Sequence, residues 1–546
     1  MAESQQKIIS NSECLNRGTE VRHPKLLSST LWNYARLVVR LGLGVLLFRA
    51  YFKILDTEAF GLWAYLWTVF GCGVLLDFGF GLMVQKGVSH HCARNEWDEA
   101  NKTISSTLVA FGLIGLLLAI VGCVSAESLL RAVSIEDQEK KRLFLPAVRV
   151  FFIGMGLSMP LAVFHEVMKG LHEIPMLNKI MVLSAMANFA VQMMVLQNGG
   201  RIDLLVAGAV AVICIQYLWS AVYCCRRYPE LKLSWNYVSA DTLIKSGRFS
   251  FYGYLIILSY MIVTKTDQLI IGSLAGLAAV ALYQPALKVG ELFGTLTRQL
   301  SENLQPAAAH YNSLGRKEKI AELISTGIRW SGIIAAPLLI LCICELEILV
   351  YMITGAESLP LETLASALIL LIWAYSFVLT HNVLKRVLVM TGHESALVKI
   401  GLIEAALNAG LSIILFNVTG SIAGVALATL IVSLVIGWGW LWRWASRETG
   451  FHPADLFRAS VWPAIYCQLP SLILLVTWQL WRFHSAVPDL VALIISSLLC
   501  FGSAAIMTTR FALKREERIF LFDKVRILIK RYPRFGLIAH TPVTRP

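Results

Sequence analysis

The sequence predicts an all-α integral membrane protein with about fourteen transmembrane helices. Of its 546 residues, 57% are hydrophobic and only 15% are charged, and the mean hydropathy is +0.65. Soluble globular proteins average about 25% charged residues. The apolar residues form long continuous runs and do not alternate with polar ones, which favours membrane-spanning helices over a β-barrel. We therefore expect almost the whole chain to lie within a bilayer.

Fourteen stretches of 18 or more mainly apolar residues are long enough to cross a bilayer as helices. In chain order, spans 1 to 14 cover residues 27–52, 59–85, 104–126, 145–168, 174–196, 204–224, 247–271, 280–304, 326–344, 360–384, 397–416, 422–442, 461–481 and 487–509. Spans 1, 2 and 8 also contain charged residues. The polar segment 1–26 has no apolar stretch of the kind that a cleavable signal peptide requires.

The distribution of basic residues predicts that both termini face the cytoplasm. An even number of spans puts the two ends on the same side, and Lys and Arg are concentrated in the segments that this arrangement places inside. The segment 345–362, which it places outside, contains four Glu and neither Lys nor Arg. The net charge of +13 thus reflects topology and contact with anionic membrane lipids, and it does not indicate a nucleic-acid partner.

The basic tail after the last span has a pattern of its own. Between Arg518 and Arg531, apolar and basic residues recur at roughly helical spacing. This pattern favours an amphipathic helix that lies on the inner leaflet. A solvated basic tail is the alternative interpretation.

The chain contains an internal repeat with an offset of 220 residues. This offset places Phe60–Trp63 on Val280–Tyr283 and pairs Asn188 with Asn408. Spans 1–6 and 7–12 are thus two copies of one unit, and they share one orientation because six helices separate them. Two parallel six-helix lobes form a recurrent transporter architecture, in which the substrate binds at the repeat interface near the middle of the membrane.

The repeat also predicts how the chain is divided. The predicted parts are a cytoplasmic N-terminal tail at 1–26, an N-lobe at 27–224, a cytoplasmic linker at 225–246, a C-lobe at 247–444, the appended spans 13 and 14 within 461–509, and a basic cytoplasmic tail at 510–546. A monomer suffices for this arrangement, because the duplication supplies both lobes.

Several short motifs resemble one transporter family. Asp77-Phe-Gly-Phe-Gly81 at the end of span 2 is similar to the D-x-G-x-G signature of the polysaccharide exporter branch of the multidrug/oligosaccharidyl-lipid/polysaccharide flippase superfamily. Phe60–Trp63 resembles the start of that family's second helix. Asp267–Gly272 followed by Val280–Tyr283 is similar to its D-x-x-I-I-G and V-A-x-Y pattern, and Pro306 falls where the family has a proline after helix 8. The resemblance covers about residues 25–440.

This resemblance implies a flippase for undecaprenyl-pyrophosphate-linked oligosaccharides, such as O-antigen or capsule repeat units, in the bacterial inner membrane. It further implies a V-shaped molecule whose two lobes work by alternating access. Polysaccharide polymerase machinery is the partner that would act on the translocated product. Lipid II flippases of the same superfamily similarly carry two extra helices.

Two arginines in span 1 are the first candidates for substrate binding. Arg36 and Arg40 are one turn apart and so lie on one helix face. An ionisable side chain within a span costs roughly 2.5–3.5 kcal/mol at the helix centre, which marks it as a functional candidate. A guanidinium can grip a phosphate with two parallel hydrogen bonds. We expect this face to line a cationic cavity that holds the pyrophosphate; the alternative is that both side chains extend to the inner headgroups.

Spans 7 and 8 carry the remaining candidate charges. Lys265 and Asp267 are two residues apart and therefore lie on different faces. We expect Lys265, Lys288 and Arg298 to face the cavity, with Asp267 and Glu291 pairing with them or binding a coupling ion. The alternative is that span 8 contains ion pairs of its own, Lys288 with Glu291 and Arg298 with Glu302, since spacings of three and four permit them.

Other charged residues receive a structural interpretation. Asp77 ends span 2 among glycines, where we expect it to orient the turn or to pair with a base on a facing helix. Five residues near predicted inner ends of spans are assigned to the membrane interface: His165, Glu166, Lys169, Lys385 and Arg386.

The sequence has no pattern that indicates catalysis. His90-His91-Cys92 has no further metal ligand close by in the chain, and no phosphate-binding GK[ST] loop is present. We therefore predict neither an enzyme nor a cofactor. A Na⁺ or H⁺ gradient, the membrane potential or consumption of the product would have to drive transport.

Three other functions compete with the flippase. A multidrug and toxin extrusion-type antiporter would have the same two lobes, but a cationic drug requires a carboxylate-rich cavity and span 1 offers only arginines. A membrane glycosyl-transferring polymerase would need large outside loops, and the longest predicted one is 127–144. A non-transporting scaffold related to the flippases is the third.

Overall fold

The computed structural model describes residues 23–72, 79–135, 137–302, 304–355, 361–450, 452–482, 487–513 and 518. All regular structure in these ranges is helical. The all-α membrane fold predicted from hydropathy is therefore confirmed. The proposed amphipathic segment 518–531 lies outside the described residues, except for Arg518.

The helices follow the predicted spans closely. In chain order they are α1 His23–Ile54, α2 Thr57–Cys72, α3 Phe80–Ala93, α4 Trp97–Ala132, α5 Gln138–Gly170, α6 Ile174–Gln197, α7 Ile202–Arg227, α8 Ala240–Glu302, α9 Leu304–Ser313, α10 Lys317–Cys344, α11 Leu346–Thr354, α12 Leu361–Met390, α13 Glu394–Thr419, α14 Ile422–Val432, α15 Trp442–Thr449, α16 Pro453–Tyr466, α17 Leu469–Arg482 and α18 Asp489–Met507. A π-helical stretch, Ser433–Leu441, joins α14 to α15.

Eleven helical stretches in the described chain are long and apolar enough to cross a membrane. The remaining predicted spans correspond to α1, to α2 with α3, and to the second arm of α8. The stretch Ala240–Glu302 consists of two helical arms that meet in a kink at Gly276, whose φ of 79° and ψ of 178° are not helical. Glycine adopts such a φ without the steric penalty that a Cβ would bring. Spans 7 and 8 are thus the two arms of α8.

Helix boundaries repeat at the offset that the sequence predicted. Three pairs of helix starts are 220 residues apart: Trp97 and Lys317, Ile174 and Glu394, and Ile202 and Ile422. The turn between α1 and α2 corresponds in the same way to the break at Gly276. The two copies therefore share these helix starts as well as their scattered sequence identities.

The chain divides into two compact units. The first contains Met1–Gln284 and Ile353–Glu357, and the second contains Pro285–Met352 and Ser358–Pro546. The first arm of α8 groups with the first unit, so the division falls within the predicted C-lobe. The lobe boundaries at 27–224 and 247–444 stay a prediction.

Apolar side chains from several helices fill the core of each unit. In the first unit, α5 packs against α4 and α7, and α1 packs against α6. In the second, α12 packs against α10 and α14, with Leu384, Val387 and Trp442 fully or almost fully buried. The appended helices α16, α17 and α18 all pack against α10.

The linker after α7 is fastened to the start of α4. The Asn101 amide donates to the carbonyl oxygen of Glu230 at 2.9 Å, and the Lys232 backbone N–H donates to the Asn101 side-chain oxygen at 3.1 Å. The Tyr237 hydroxyl donates to Asp98 at 2.9 Å, and this hydrogen bond raises the pKa of the tyrosine. These hydrogen bonds therefore hold the predicted linker against the first unit.

Candidate functional site

The two arginines of α1 have different surroundings. Arg36 is half-buried, and its Nη1 donates to the Met181 sulfur of α6 at 3.2 Å. Met181 is seven residues after Ile174, which puts it about 10 Å along α6. Arg40 lies one turn further along α1, about 6 Å deeper, and is exposed. In a hydrocarbon core about 30 Å thick, this level is close to the middle of the membrane.

The surface of α1 beyond Arg40 is open. Gly44 follows Arg40 by one turn on the same face, and no heavy atom of the described structure lies within 4 Å of the position that a Cβ on Gly44 would take. Gly42 is equally open. The Arg40 guanidinium therefore lies beside a part of α1 where two glycines leave room for a bulky headgroup.

Lys265 and Asp267 lie on the first arm of α8 and serve different neighbours. The Lys265 stem runs over α2, with its Cε 3.2 Å from the position of a Cβ on Gly71. Asp267 is only 3% exposed, and one carboxylate oxygen accepts a hydrogen bond from the Tyr283 hydroxyl at 3.3 Å. The Asp267 carboxylate thus links the two arms of α8 across Gly276.

The other predicted site residues lie in the second unit or outside the described residues. Lys288 lies on the second arm of α8, in the second unit, and is exposed. Glu291 and Arg298 are on the same arm, but their side chains lie outside what the structure describes. Asp77 lies outside the described residues. Among the predicted site residues, Arg36, Lys265 and Asp267 are those whose side-chain contacts are given above.

An ion pair between a buried carboxylate and a half-buried lysine, whose side chain is 32% exposed, was missed by the sequence reasoning. Lys385 of α12 and Glu404 of α13 approach to 2.5 Å, and the Glu404 side chain is 7% exposed. Lys385 was expected at the membrane interface, because it lies near the end of its span. Its ammonium meets Glu404, which lies ten residues, or about 15 Å, into α13. An acidic residue in an otherwise apolar span was the available signal.

Other polar groups accompany this pair. His381 lies one turn before Lys385 on α12, is 2% exposed, and packs its ring directly on the backbone of Gly437 in the π-helical stretch. Asn408 lies one turn after Glu404 and donates to the Thr429 hydroxyl of α14 at 3.1 Å. Single-turn π-helical segments occur frequently at functional sites.

A second buried carboxylate fastens the appended helices. Glu345, expected in an outside loop, is 2% exposed at the junction of α10 and α11. It accepts hydrogen bonds from Gln479 at 2.5 Å, from Arg482 at 3.1 Å, and from the hydroxyl of Ser496. Arg482 also pairs with Asp489 at 2.8 Å. Because Glu345 is so well satisfied, we interpret this cluster as structural.

The helix order, the repeat and the apolar spans define an all-helical, multi-pass membrane protein with an internal duplication. The chain belongs to the family described as polysaccharide biosynthesis protein, whose sequence pattern matches residues 53–363. None of the curated proteins matches the chain. Membership of this family assigns the chain to polysaccharide biosynthesis.

Solved structures show the same fold at low sequence identity. An inward-facing multidrug resistance MATE family transporter of the MOP superfamily superposes with a TM-score of 0.67 at 16% identity, covering 78% of this chain and 98% of that one. The lipid II flippase MurJ in an inward closed conformation gives 0.67 at 14% identity, covering 88% and 98%.

A third similar structure differs from its relatives in the polarity of its binding pocket. It is a MOP superfamily transporter from Pyrococcus furiosus, for which reverse polarity of the binding pocket is said to suggest a different function; its TM-score is 0.53 at 16% identity, covering 78% of this chain and 93% of that one. The three structures share the fold of this chain.

Proposed function

We propose that the chain is a flippase that carries undecaprenyl-pyrophosphate-linked oligosaccharide, a polysaccharide repeat unit, across the bacterial inner membrane by alternating access. Membership of the polysaccharide biosynthesis family supports this substrate class. The likeness of the fold to that of a lipid II flippase supports the mode of transport. O-antigen and capsule units are the glycans that fit this proposal.

The single observation that carries the proposal is the pair of arginines on α1. Arg36 is held in place by α6, while Arg40 is exposed about one turn deeper beside the open surface at Gly44. A pyrophosphate that leaves water needs its hydration replaced by donors, and guanidinium groups supply several in a fixed fork. We assign Arg40 to direct contact with the pyrophosphate and Arg36 to support behind it.

The remaining charges have secondary roles in this proposal. Lys265, Lys288 and Arg298 supply further cationic groups for the headgroup. Asp267, Glu291 and Asp77 set the position of these bases by pairing. The prenyl chain stays in lipid throughout, so only the headgroup requires a polar path.

A cation-coupled drug antiporter is the second candidate, because a MATE transporter superposes as well as the lipid II flippase does. The chemistry of α1 argues against it. A cationic drug is attracted by carboxylates, whereas Arg36 and Arg40 would repel it at the depth where it must bind. The buried acids Glu345 and Glu404 are already paired with Arg482 and Lys385.

The test is export of lipid-linked glycan in cells that lack their own flippase and express the full chain. Arg40→Ala should reduce export by about tenfold or more, because a charged hydrogen bond is worth roughly 1.5–3 kcal/mol. Arg40→Lys should also impair it, since an ammonium cannot form the bidentate fork. Lys53→Ala is the control, an exposed base at the other end of α1. Normal export by Arg40→Ala at equal expression would refute the proposal.

A further inference from the structure

The Lys385–Glu404 pair is unusual in its position. The carboxylate lies about 15 Å along α13, which is near mid-membrane for a helix that begins at the surface. Hydrophobic neighbours surround it: Leu384, Val387 and Ile400 are almost completely buried on the two helices concerned. An ion pair at this depth costs desolvation that a pair of apolar residues would avoid. A role beyond stability is therefore indicated.

His381 supplies a second, independent observation on the same helix. Its ring is buried between α12 and the π-helical stretch, one turn from Lys385, and its Nε2 has no hydrogen-bond partner among the described residues. A buried polar nitrogen without a partner is disfavoured unless it has a use, such as accepting a proton. His381, Lys385 and Glu404 thus form a continuous set of titratable groups in an apolar surrounding.

Few other charged groups face this set. α14 and the π-helical stretch contain no titratable residue. Arg329 on α10 is the buried charged group on the opposite neighbour of α12, and it is 6% exposed. His310 on α9 and the arginines of α15 are exposed. The charge of the set therefore depends mainly on its own three members and on Arg386, which follows Lys385 on α12 and is half-buried.

The internal repeat shows that this set is specific to the second unit. With the 220-residue offset, Lys385 corresponds to His165 and Glu404 corresponds to Ser184. His165 and Ser184 are both buried in the first unit, but that unit has no carboxylate at this position. Duplication therefore preserved a polar position, and only one copy acquired an ion pair.

We propose that Lys385, Glu404 and His381 form a proton-binding site that switches the second unit, and that proton binding there couples the gradient to the transport proposed above. This coupling role rests on the proposed function, whereas the proton site itself does not.

The proton step balances in charge. In the resting state the carboxylate of Glu404 and the ammonium of Lys385 sum to zero. One proton that arrives, with His381 as a relay on the way, adds to a carboxylate oxygen of Glu404 and forms a neutral carboxylic acid. The ammonium of Lys385, whose side chain is 32% exposed, has then lost its counter-charge. Lys385 must swing towards water, and the contact between α12 and α13 is released; loss of the proton restores the pair.

The experiment uses the full chain reconstituted in lipid vesicles without any glycolipid. Infrared difference spectroscopy between neutral and acidic pH should show a protonated carboxylic-acid carbonyl band. This band should be lost in Glu404→Gln and shifted but kept in Glu404→Asp. Glu345→Gln is the matched control, since it removes the other buried carboxylate, and it should leave the band unchanged.

Hydrogen–deuterium exchange on the same samples tests the switch. Exchange of α12 and α13 should rise as the pH falls in the wild-type chain, after correction for the intrinsic pH dependence of exchange. In Glu404→Gln, which mimics the protonated acid, it should be high at both pH values. A carbonyl band that survives Glu404→Gln, or exchange that does not depend on pH in the wild type, would overturn the proposal. Because no glycolipid is present, neither result depends on whether the chain flips one.

Discussion

The hydroxyl of Tyr283 donates a hydrogen bond to the carboxylate of Asp267 at 3.3 Å, across the break in α8. The two residues lie on opposite arms of that helix, and Gly276 between them has a φ of 79°. The backbone at Leu277 also packs against Gly61 of α2, where no Cβ would fit. The hinge between predicted spans 7 and 8 is therefore fixed by a glycine, a buried hydrogen bond and a close backbone contact.

Removing the hydroxyl of Tyr283 should weaken this hinge. Tyr283→Phe leaves the buried Asp267 carboxylate with one donor fewer, which should lower the free energy of unfolding by about 1–3 kcal/mol. The thermal unfolding midpoint in detergent measures this. Tyr237→Phe is the control, because its hydrogen bond to Asp98 is exposed, and it should change the midpoint much less. Equal midpoints for Tyr283→Phe and the wild type would contradict the role given to this bond.

Loss of Glu345 should loosen the appended helices. Glu345→Gln removes one of the two counter-charges of the half-buried Arg482 and weakens the hydrogen bonds to this carboxylate, so we expect a loss of about 1.5–3 kcal/mol. We expect faster proteolysis in the loop before α18 and a lower unfolding midpoint. Asp489→Asn removes the exposed partner of the same arginine, so it should cost less than about 1 kcal/mol. Equal unfolding midpoints for the two variants would contradict the role of Glu345 in holding the appended helices.

Two glycines of the π-helical stretch give a matched pair of substitutions. A methyl group on Gly437 would run into the ring of His381, whereas one on Gly439 would meet nothing within 4 Å in the described structure. Gly437→Ala should therefore destabilise the chain by about 1–3 kcal/mol through overpacking. Gly439→Ala should be neutral or slightly stabilising, because alanine favours helix over glycine by up to about 1 kcal/mol. The thermal unfolding midpoints of both variants test this difference. A lower midpoint for Gly439→Ala alone would contradict the packing described.

Most of the fold followed from hydropathy and the repeat, because span length and orientation are properties of continuous stretches. The helix starts at Trp97 and Lys317 show how well the offset holds. The hinge at Gly276 was less predictable. The sequence suggested a gap of several residues between spans 7 and 8, yet only this glycine leaves the helical conformation, since its neighbours Ala275 and Leu277 are good helix formers.

The candidate site was predicted less completely, because a sequence does not show which residues on neighbouring helices touch. Arg36 and Arg40 could be selected from their spacing on one helix. Lys385 was assigned to the interface by its distance from the span end, and only the packing of α12 on α13 brings it to Glu404. Glu345 was likewise expected in a loop, and its burial depends on α17 and α18, which lie far away in the chain.

The central claim is that the chain flips a pyrophosphate-linked glycolipid with Arg40 as a contact. The most direct measurement reconstitutes the full chain in vesicles that carry undecaprenyl-pyrophosphate-linked oligosaccharide and follows the arrival of the glycan on the opposite leaflet with a glycosidase that cannot cross the membrane. We expect transfer with the wild-type chain, about tenfold or more slower transfer with Arg40→Ala, and wild-type transfer with Lys53→Ala. Equal rates with and without the protein, together with uptake of a cationic dye, would contradict the account and favour the antiporter.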